Sequence, residues 1–271
     1  FLHALREALE GAGLTVLQTD HEDAHGQYEL NFAYDEALRS ADHVMLFKLA
    51  AHALAEREGC VFSMMPKPFA NQPGSGLHFH VSLWDGARCL FDEGPSMRHF
   101  IGGVLEHSAA LCALAAPTVN SYKRLVVGES LSGTSWAPAT IAQGPNNRTA
   151  LVRTLAGRFE WRLPDASANP YLATAGLIAA GLDGIDRGLD PGPDCSDDLF
   201  ALDLAEIRRR GIGLLPQSLG AAVDALDASE LLRGALGDTL HAEFVRLKRA
   251  EWTDYARHVS DWEHARYGAM F

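Results

Sequence analysis

Two stretches far apart in the chain alternate strictly between polar and apolar side chains, and they restrict the fold more than any other feature: Gly74-Ser75-Gly76-Leu77-His78-Phe79-His80-Val81-Ser82-Leu83 and Arg158-Phe159-Glu160-Trp161-Arg162-Leu163. Successive side chains of a β-strand point to opposite faces. His78, His80 and Ser82 therefore share one face, with Leu77, Phe79, Val81 and Leu83 behind them. Arg158, Glu160 and Arg162 form a second polar face, backed by Phe159, Trp161 and Leu163. Ordinary surface strands alternate too. Their outer faces are usually rich in Lys, Thr and Glu, whereas paired imidazoles and paired guanidiniums around one carboxylate suit a polar cavity for an anionic substrate and a metal.

The 271 residues are 47% hydrophobic and 21% charged, enough for a substantial core in one large domain. A net charge of -12 argues against nucleic acid or anionic membrane as a general partner, so phosphate binding must be local, through particular arginines. No apolar run approaches the roughly 20 residues that span a bilayer, and no secretory signal is visible. Cys60, Cys89, Cys112 and Cys195 are scattered without a CxxC pair, as in a reduced, cytoplasmic protein. The opening Phe1–Leu9 reads as the middle of an amphipathic helix without an initiator Met, and a natural start well upstream is expected.

After that helix, Leu14–Thr19 reads as a strand leading into Asp20-His21-Glu22-Asp23-Ala24-His25-Gly26-Gln27-Tyr28-Glu29, which concentrates acidic and imidazole groups. Taken alone, that loop fits a solvated turn as well as a metal site. The spacing of Leu38, Ala41, Met45 and Leu49 predicts a helix within Asp35–Glu58, and Val61–Met65 reads as a buried strand ending at Pro66-Lys67-Pro68. Asp85-Gly86 marks a hairpin turn, and one helix is expected from about Met97 to Ala116. Gly128–Ser135 has the composition of a mobile loop, Asn146–Arg153 brings the chain back as a strand, and Asn169-Pro170 opens a helix as N-cap and first residue. Ser260-Asp261-Trp262-Glu263 reads as a capping box.

Taken in order, Lys67-Pro68, the Gly74–Ser82 stretch, Asn120-Ser121-Tyr122-Lys123-Arg124, Asn147-Arg148, Arg158-Phe159-Glu160-Trp161-Arg162-Leu163-Pro164-Asp165 and Asn169-Pro170-Tyr171 closely resemble the catalytic domain of glutamine synthetase. The resemblance implies an α+β fold in which a curved antiparallel β-sheet forms the active-site wall, flanked by α-helices. It makes residues 1–271 a catalytic domain truncated at its N-terminus, without the family's N-terminal β-domain and first metal-binding strand, and therefore inactive alone. It also implies a cytoplasmic homo-oligomeric ring, a dodecamer by family habit, with active sites between subunits.

The resemblance further implies two or more Mg²⁺ or Mn²⁺ ions per site, held by Glu22 and Glu29 on the glutamate and amine side and by His78 and Glu160 at the ATP phosphates. His80 and Ser82 match nucleotide-contacting positions, and Arg153 and Arg158 match nucleotide-binding ones. Arg124 and Arg162 match the arginines that hold glutamate, with Gly74 beside them, while Arg124, Arg148 and Glu129 match catalytic positions. Hard cations prefer carboxylates, and one imidazole makes Mn²⁺ acceptable. The implied reaction moves the γ-phosphoryl of ATP onto the glutamate side-chain carboxylate, and an amine then displaces phosphate. Metals and arginines offset the charge that keeps the two anions apart.

Glu129 stands one residue out of register with the family's flap carboxylate, in a loop of different composition, which opens the question of the nitrogen donor. The sequence is closer to the branch containing type III enzymes and the relatives that join glutamate to methylamine or larger amines. Ammonia is the expected donor on family frequency, with an alkylamine or polyamine as the alternative. A non-catalytic relative is a second alternative, against which stand His78, Glu160 and the four arginines Arg124, Arg148, Arg158 and Arg162. A phosphoguanidine-kinase-like activity fits the Glu22 and Glu29 pair poorly. Phe200 stands where some bacterial members carry an adenylylated Tyr, so that control is not expected here.

Overall fold

The computed structural model describes residues 1–128 and 136–270. Helix α1 (Leu2–Gly11) leads into the hairpin of β1 (Val16–His21) and β2 (Tyr28–Phe32), followed by α2 (Ala37–Arg57), β3 (Phe79–Val81) and the small hairpin β4 (Trp84–Asp85) and β5 (Arg88–Cys89). Helices α3 (Ser96–Glu106) and α4 (Ser108–Ala115) precede a 3₁₀ turn at Ser121–Lys123, then β6 (Thr140–Ile141), β7 (Gln143–Pro145), β8 (Val152–Leu155) and β9 (Arg158–Trp161). The remainder is α5 (Pro170–Arg187), α6 (Leu204–Arg209), β10 (Gly213–Leu214), α7 (Leu219–Asp227), α8 (Glu230–Leu236), α9 (Asp238–Arg257) and α10 (Asp261–Tyr267).

The fold is α+β, as expected, with small sheets flanked by helices. The two alternating stretches do meet: β3 pairs antiparallel with β9, with Phe79 opposite Trp161, His80 opposite Glu160 and Val81 opposite Phe159. The sheet order is β3-β9-β8-β7. Strands β8 and β9 are antiparallel, but β7 joins β8 in parallel, so the sheet is mixed at that edge. Strands this short need a return of only about 10 Å, which the turn after Pro145 covers without a helix.

The apolar side of the sheet is the core. Phe159, Trp161 and Leu163 are fully buried, Phe79 meets Trp161 edge-on, and Phe91 and Phe100 pack against Phe159. Helices α3 and α5 cross so closely that a Cβ at Gly103 would lie 1.9 Å from the Ala180 carbonyl oxygen. Only glycine allows that approach. Asn169 caps α5 as expected: its side-chain oxygen accepts from the Tyr171 and Leu172 amides, with Pro170 at the first position. The Ser260–Glu263 capping box of α10 is also present.

Several local expectations are corrected. Val61–Met65 forms no strand and pairs with no strand among the described residues, and Val61 is 95% exposed. The helix expected from Met97 to Ala116 divides at His107 into α3 and α4. Asn146–Leu151 is a turn, and the strand begins only at Val152. Helix α2 forms where expected but is rotated relative to its apolar spacing: Leu38, Met45 and Leu49 are exposed, while Ala41, Ala51 and Ala55 are buried. Leu46, Phe47 and Leu54 of α2 pack instead against the cluster of Leu5, Leu9, Leu14 and Val16. No described helix is long and apolar enough to cross a membrane.

Candidate active site

Register alone lines up the polar face. His80 lies opposite Glu160 across β3–β9, and Glu160 lies opposite Arg153 across β9–β8. Arg162, two residues on from Glu160, shares that face.

Glu160 is its hub. The Oε1 atom accepts from Arg162 Nη1 at 2.7 Å and lies 3.0 Å from His78 Nδ1, while Oε2 accepts from Arg153 Nη1 at 3.1 Å. Burial alone would raise the Glu160 pKa, but His78, Arg162 and Arg153 together hold it far below the usual carboxylate range. Burial lowers the pKa of His78, and Arg162 and Arg124 lower it further, so the ring stays neutral despite its Glu160 partner. His80 is likewise lowered, first by burial and then by the arginines. Its Nδ1 accepts from Arg158 Nε at 3.3 Å.

Arg162 is buried and carries an incomplete set of partners. Nη2 donates to the Trp136 carbonyl at 2.9 Å, but the buried Nε has no hydrogen-bond partner among the described residues. Arg124 runs beneath it and donates to the carbonyls of Leu163 (3.0 Å) and Arg162 (3.2 Å). Its burial brings its pKa down to about 10, against the opposing pull of the buried Asp165 carboxylate. Gly74 and Gly76 make room for it: a Cβ at Gly74 would lie 3.1 Å from Arg124 Cγ, and one at Gly76 would lie 3.0 Å from Arg124 Nη2. Arg148 is exposed, and its charge contributes to the lowered pKa of Arg162.

The acidic β1–β2 hairpin reaches the site as well, close enough for His78 to act electrostatically on Glu29. Glu22 and Glu29 share a hydrogen bond, and this bond, ahead of burial, raises the Glu29 pKa. Gln27, between them, donates to the Gly74 carbonyl at 3.0 Å and ties the hairpin to the loop before β3. Two carboxylates held together at a mutual cost are what a hard divalent cation relieves, so Glu22 and Glu29 fit such an ion. The His78–Glu160 pair has suitable donors as well, although guanidiniums already contact both carboxylate oxygens. Among the described residues no cluster of three or more His, Cys, Asp or Glu side chains is poised to hold a metal. The four expected ligands instead form two pairs.

An aromatic pair lies beside the polar face. Tyr34 and Trp84 stack with ring planes 2° apart and centroids at 6.2 Å, both exposed, and Trp84 Nε1 donates to Ser82 Oγ at 2.8 Å. The signal was available only as two aromatics in polar surroundings on separate elements. Glu129 lies outside the described residues.

The model of the family described as "Glutamine synthetase, catalytic domain" matches residues 1–267. The chain belongs to that family. It is 49% identical over its whole length to the glutamate–methylamine ligase of Methyloversatilis universalis, and 42% identical over 97% of its length to a glutamine synthetase of Halobacterium salinarum. It spans 63% and 60% of those two relatives, about three-fifths of their length. Among solved structures, a "GmaS/ADP complex" is 42% identical, with a TM-score of 0.91 over 98% of this chain and 63% of that one. A ligand-free GmaS gives a TM-score of 0.87 at 40% identity, over 99% of this chain and 62% of that one. As a member of the glutamine synthetase family, the chain carries that family's catalytic fold.

Proposed function

We propose that the protein of which this chain forms the catalytic domain joins a small alkylamine, methylamine first, to the γ-carboxylate of glutamate at the expense of ATP. The observation that carries the donor assignment is the 49% identity to a glutamate–methylamine ligase over the full chain, supported by the likeness to GmaS structures. This moves the donor from the ammonia expected on family frequency to the alkylamine alternative. Ammonia remains a second reading because relatives at 40–42% identity are named glutamine synthetase.

The polar face supports roles for its residues. The unpartnered buried Nε of Arg162 awaits an acceptor, which a substrate carboxylate supplies, and Arg124 beneath it adds positive potential. Arg153 and Arg158 flank His80 and offer guanidinium forks to phosphate oxygens, with Arg148 at the open edge. The Tyr34–Trp84 stack beside Ser82 offers a platform that a purine can extend. Glu22 with Glu29, and His78 with Glu160, would hold Mg²⁺ or Mn²⁺. A bound cation would offset phosphate charge while the γ-phosphoryl passes to the glutamate carboxylate. The lowered pKa values of His78 and His80 keep both rings neutral near pH 7, able to donate or ligate without adding charge. Assembly into a ring that completes each site from a neighbouring subunit is part of the same reading.

Product analysis tests it. The natural-length enzyme supplied with Mg²⁺, ATP, glutamate and equal methylamine and ammonium should yield mainly the N-methyl amide, with one phosphate released per amide. Glutamine as the main product would return the assignment to ammonia, and ATP consumption without any amide would overturn the ligase reading.

A further inference from the structure

Asn146 is the one non-glycine residue with a positive φ among the described residues, at 52°. A side chain in this left-handed region is strained, and Asn is among the few that tolerate it. Strain of this kind persists only where the surroundings over-determine the backbone, and here they do. The Asn146 amide donates to the Thr154 carbonyl at 3.0 Å. The next residue, Asn147, uses its whole side chain as an anchor: Nδ2 donates to the carbonyls of Cys195 and Asp197, both at 2.9 Å, while Oδ1 accepts from the Thr149 amide and hydroxyl. Gly144, at the centre of β7, packs so close that a Cβ there would lie 2.0 Å from the Cys195 oxygen.

The strained residue is aimed at one target. Its Oδ1 accepts from Arg153 Nε at 3.0 Å and from Nη2 at 2.5 Å, gripping one edge of the guanidinium. Nη1 of the same group donates to Glu160 Oε2 at 3.1 Å. Arg153 is thus fixed at two points, a neutral amide on one edge and the hub carboxylate at the other. Of its five N–H donors, one on Nη1 and one on Nη2 are left for an incoming anion. A neutral acceptor suits this position, since a second carboxylate would neutralise the cation that an anion must meet.

We propose that Asn146 is a positioning residue, which through its left-handed backbone and its two-pronged grip on Arg153 sets the orientation of that guanidinium toward the phosphates of the nucleotide. The proposal rests on the reading of Arg153 as a nucleotide-binding arginine. A fixed fork loses less freedom on binding than a free side chain, so Asn146 acts on nucleotide affinity and leaves glutamate affinity alone.

Three variants of the natural-length enzyme test it. Asn146→Gly keeps the backbone conformation without strain and deletes only the grip. Asn146→Asp keeps an acceptor in a residue that tolerates the same backbone, and Arg153→Ala removes the group being positioned. The expected result for Asn146→Gly is a rise of about tenfold in KM for ATP and in Kd for Mg·ADP. Its KM for glutamate should stay within about twofold, and its melting temperature should be equal or higher. Asn146→Asp should orient Arg153 as the wild type does and bind nucleotide more tightly than Asn146→Gly, though more weakly than the wild type because of the added charge. Arg153→Ala should weaken nucleotide binding at least as much as Asn146→Gly. If Arg153→Ala weakens nucleotide binding and Asn146→Gly binds as the wild type does, the positioning role is overturned and the reading of Arg153 stands. If Arg153→Ala binds nucleotide normally, that reading falls and the positioning role with it.

Discussion

Glu160 Oε1 accepts a hydrogen bond at 2.7 Å from Nη1 of Arg162, two positions on and one residue past the end of β9. A single carboxylate thereby meets one cation from just past its own strand, a second from β8 and the imidazole of His78, the residue before β3. Removing it leaves the buried Arg162 and the partly buried Arg153 without their shared counter-charge.

Glu160→Gln keeps the shape and deletes that charge. Loss of a preorganised charge in an active site typically costs on the order of 10²–10³ in kcat, and breaking a buried ion pair about 3–5 kcal/mol of stability. The expectation is a fall of at least a hundredfold in phosphate release together with a clear drop in melting temperature. Normal turnover would remove Glu160 from the site.

The Glu22–Glu29 pair makes a prediction about cation dependence. Glu29→Gln removes one of two oxygen donors and the repulsion that a cation relieves, so the Mg²⁺ concentration for half-maximal activity should rise at least about tenfold. A Mg²⁺ titration checks this. An unchanged midpoint would place that cation elsewhere.

Asp183 links α5 to the break between α3 and α4, through His107 Nε2 at 2.7 Å and Arg187 Nη1 at 2.7 Å. Burial pushes its pKa up, but the bonds from His107 and Arg187 win and hold it below the ordinary 3.8. A carboxylate lowered in the folded state stabilises the fold above its unfolded pKa and loses that contribution as pH falls through the folded value. Asp183→Asn should therefore melt lower than the wild type at pH 7, by roughly 2–4 °C for about 1 kcal/mol, and the gap should close below pH 3.8. A gap independent of pH would assign the loss to packing instead.

Gly103→Ala tests the α3–α5 crossing. Its new methyl would collide with the Ala180 carbonyl and the Gly184 amide, 1.9 and 2.8 Å from the Cβ position. The backbones must separate, at a cost of roughly 1–3 kcal/mol by the usual scale of overpacking. A melting temperature unchanged within 1 °C or so, against the roughly 2–4 °C expected per kcal/mol, would mean the helices yield without loss.

What the sequence revealed follows from what a period can encode. The period of two in His78–Ser82 and Arg158–Arg162 fixed both polar faces, and hence His80 opposite Glu160 and the neighbouring Arg162. It could not reveal whether a partner strand exists, and so Val61–Met65 reads as a strand although it pairs with none among the described residues. Helical spacing located α2 but not which side is covered: Ala41, Ala51 and Ala55 face inward because neighbouring elements approach that side. The Tyr34–Trp84 stack and the grip of Asn146 on Arg153 join residues through tertiary geometry, which no local pattern records. The Trp136 carbonyl that holds Arg162 is a backbone group, and its role is independent of side-chain identity.

The measurement that bears most directly on the central claim is kcat/KM for phosphate release by the natural-length enzyme with Mg²⁺, ATP and glutamate, taken with methylammonium and with ammonium in parallel. The account predicts a clear preference, about tenfold or more, for methylammonium, the size of discrimination one methyl group provides in a fitted pocket. Equal or greater efficiency with ammonium would contradict it.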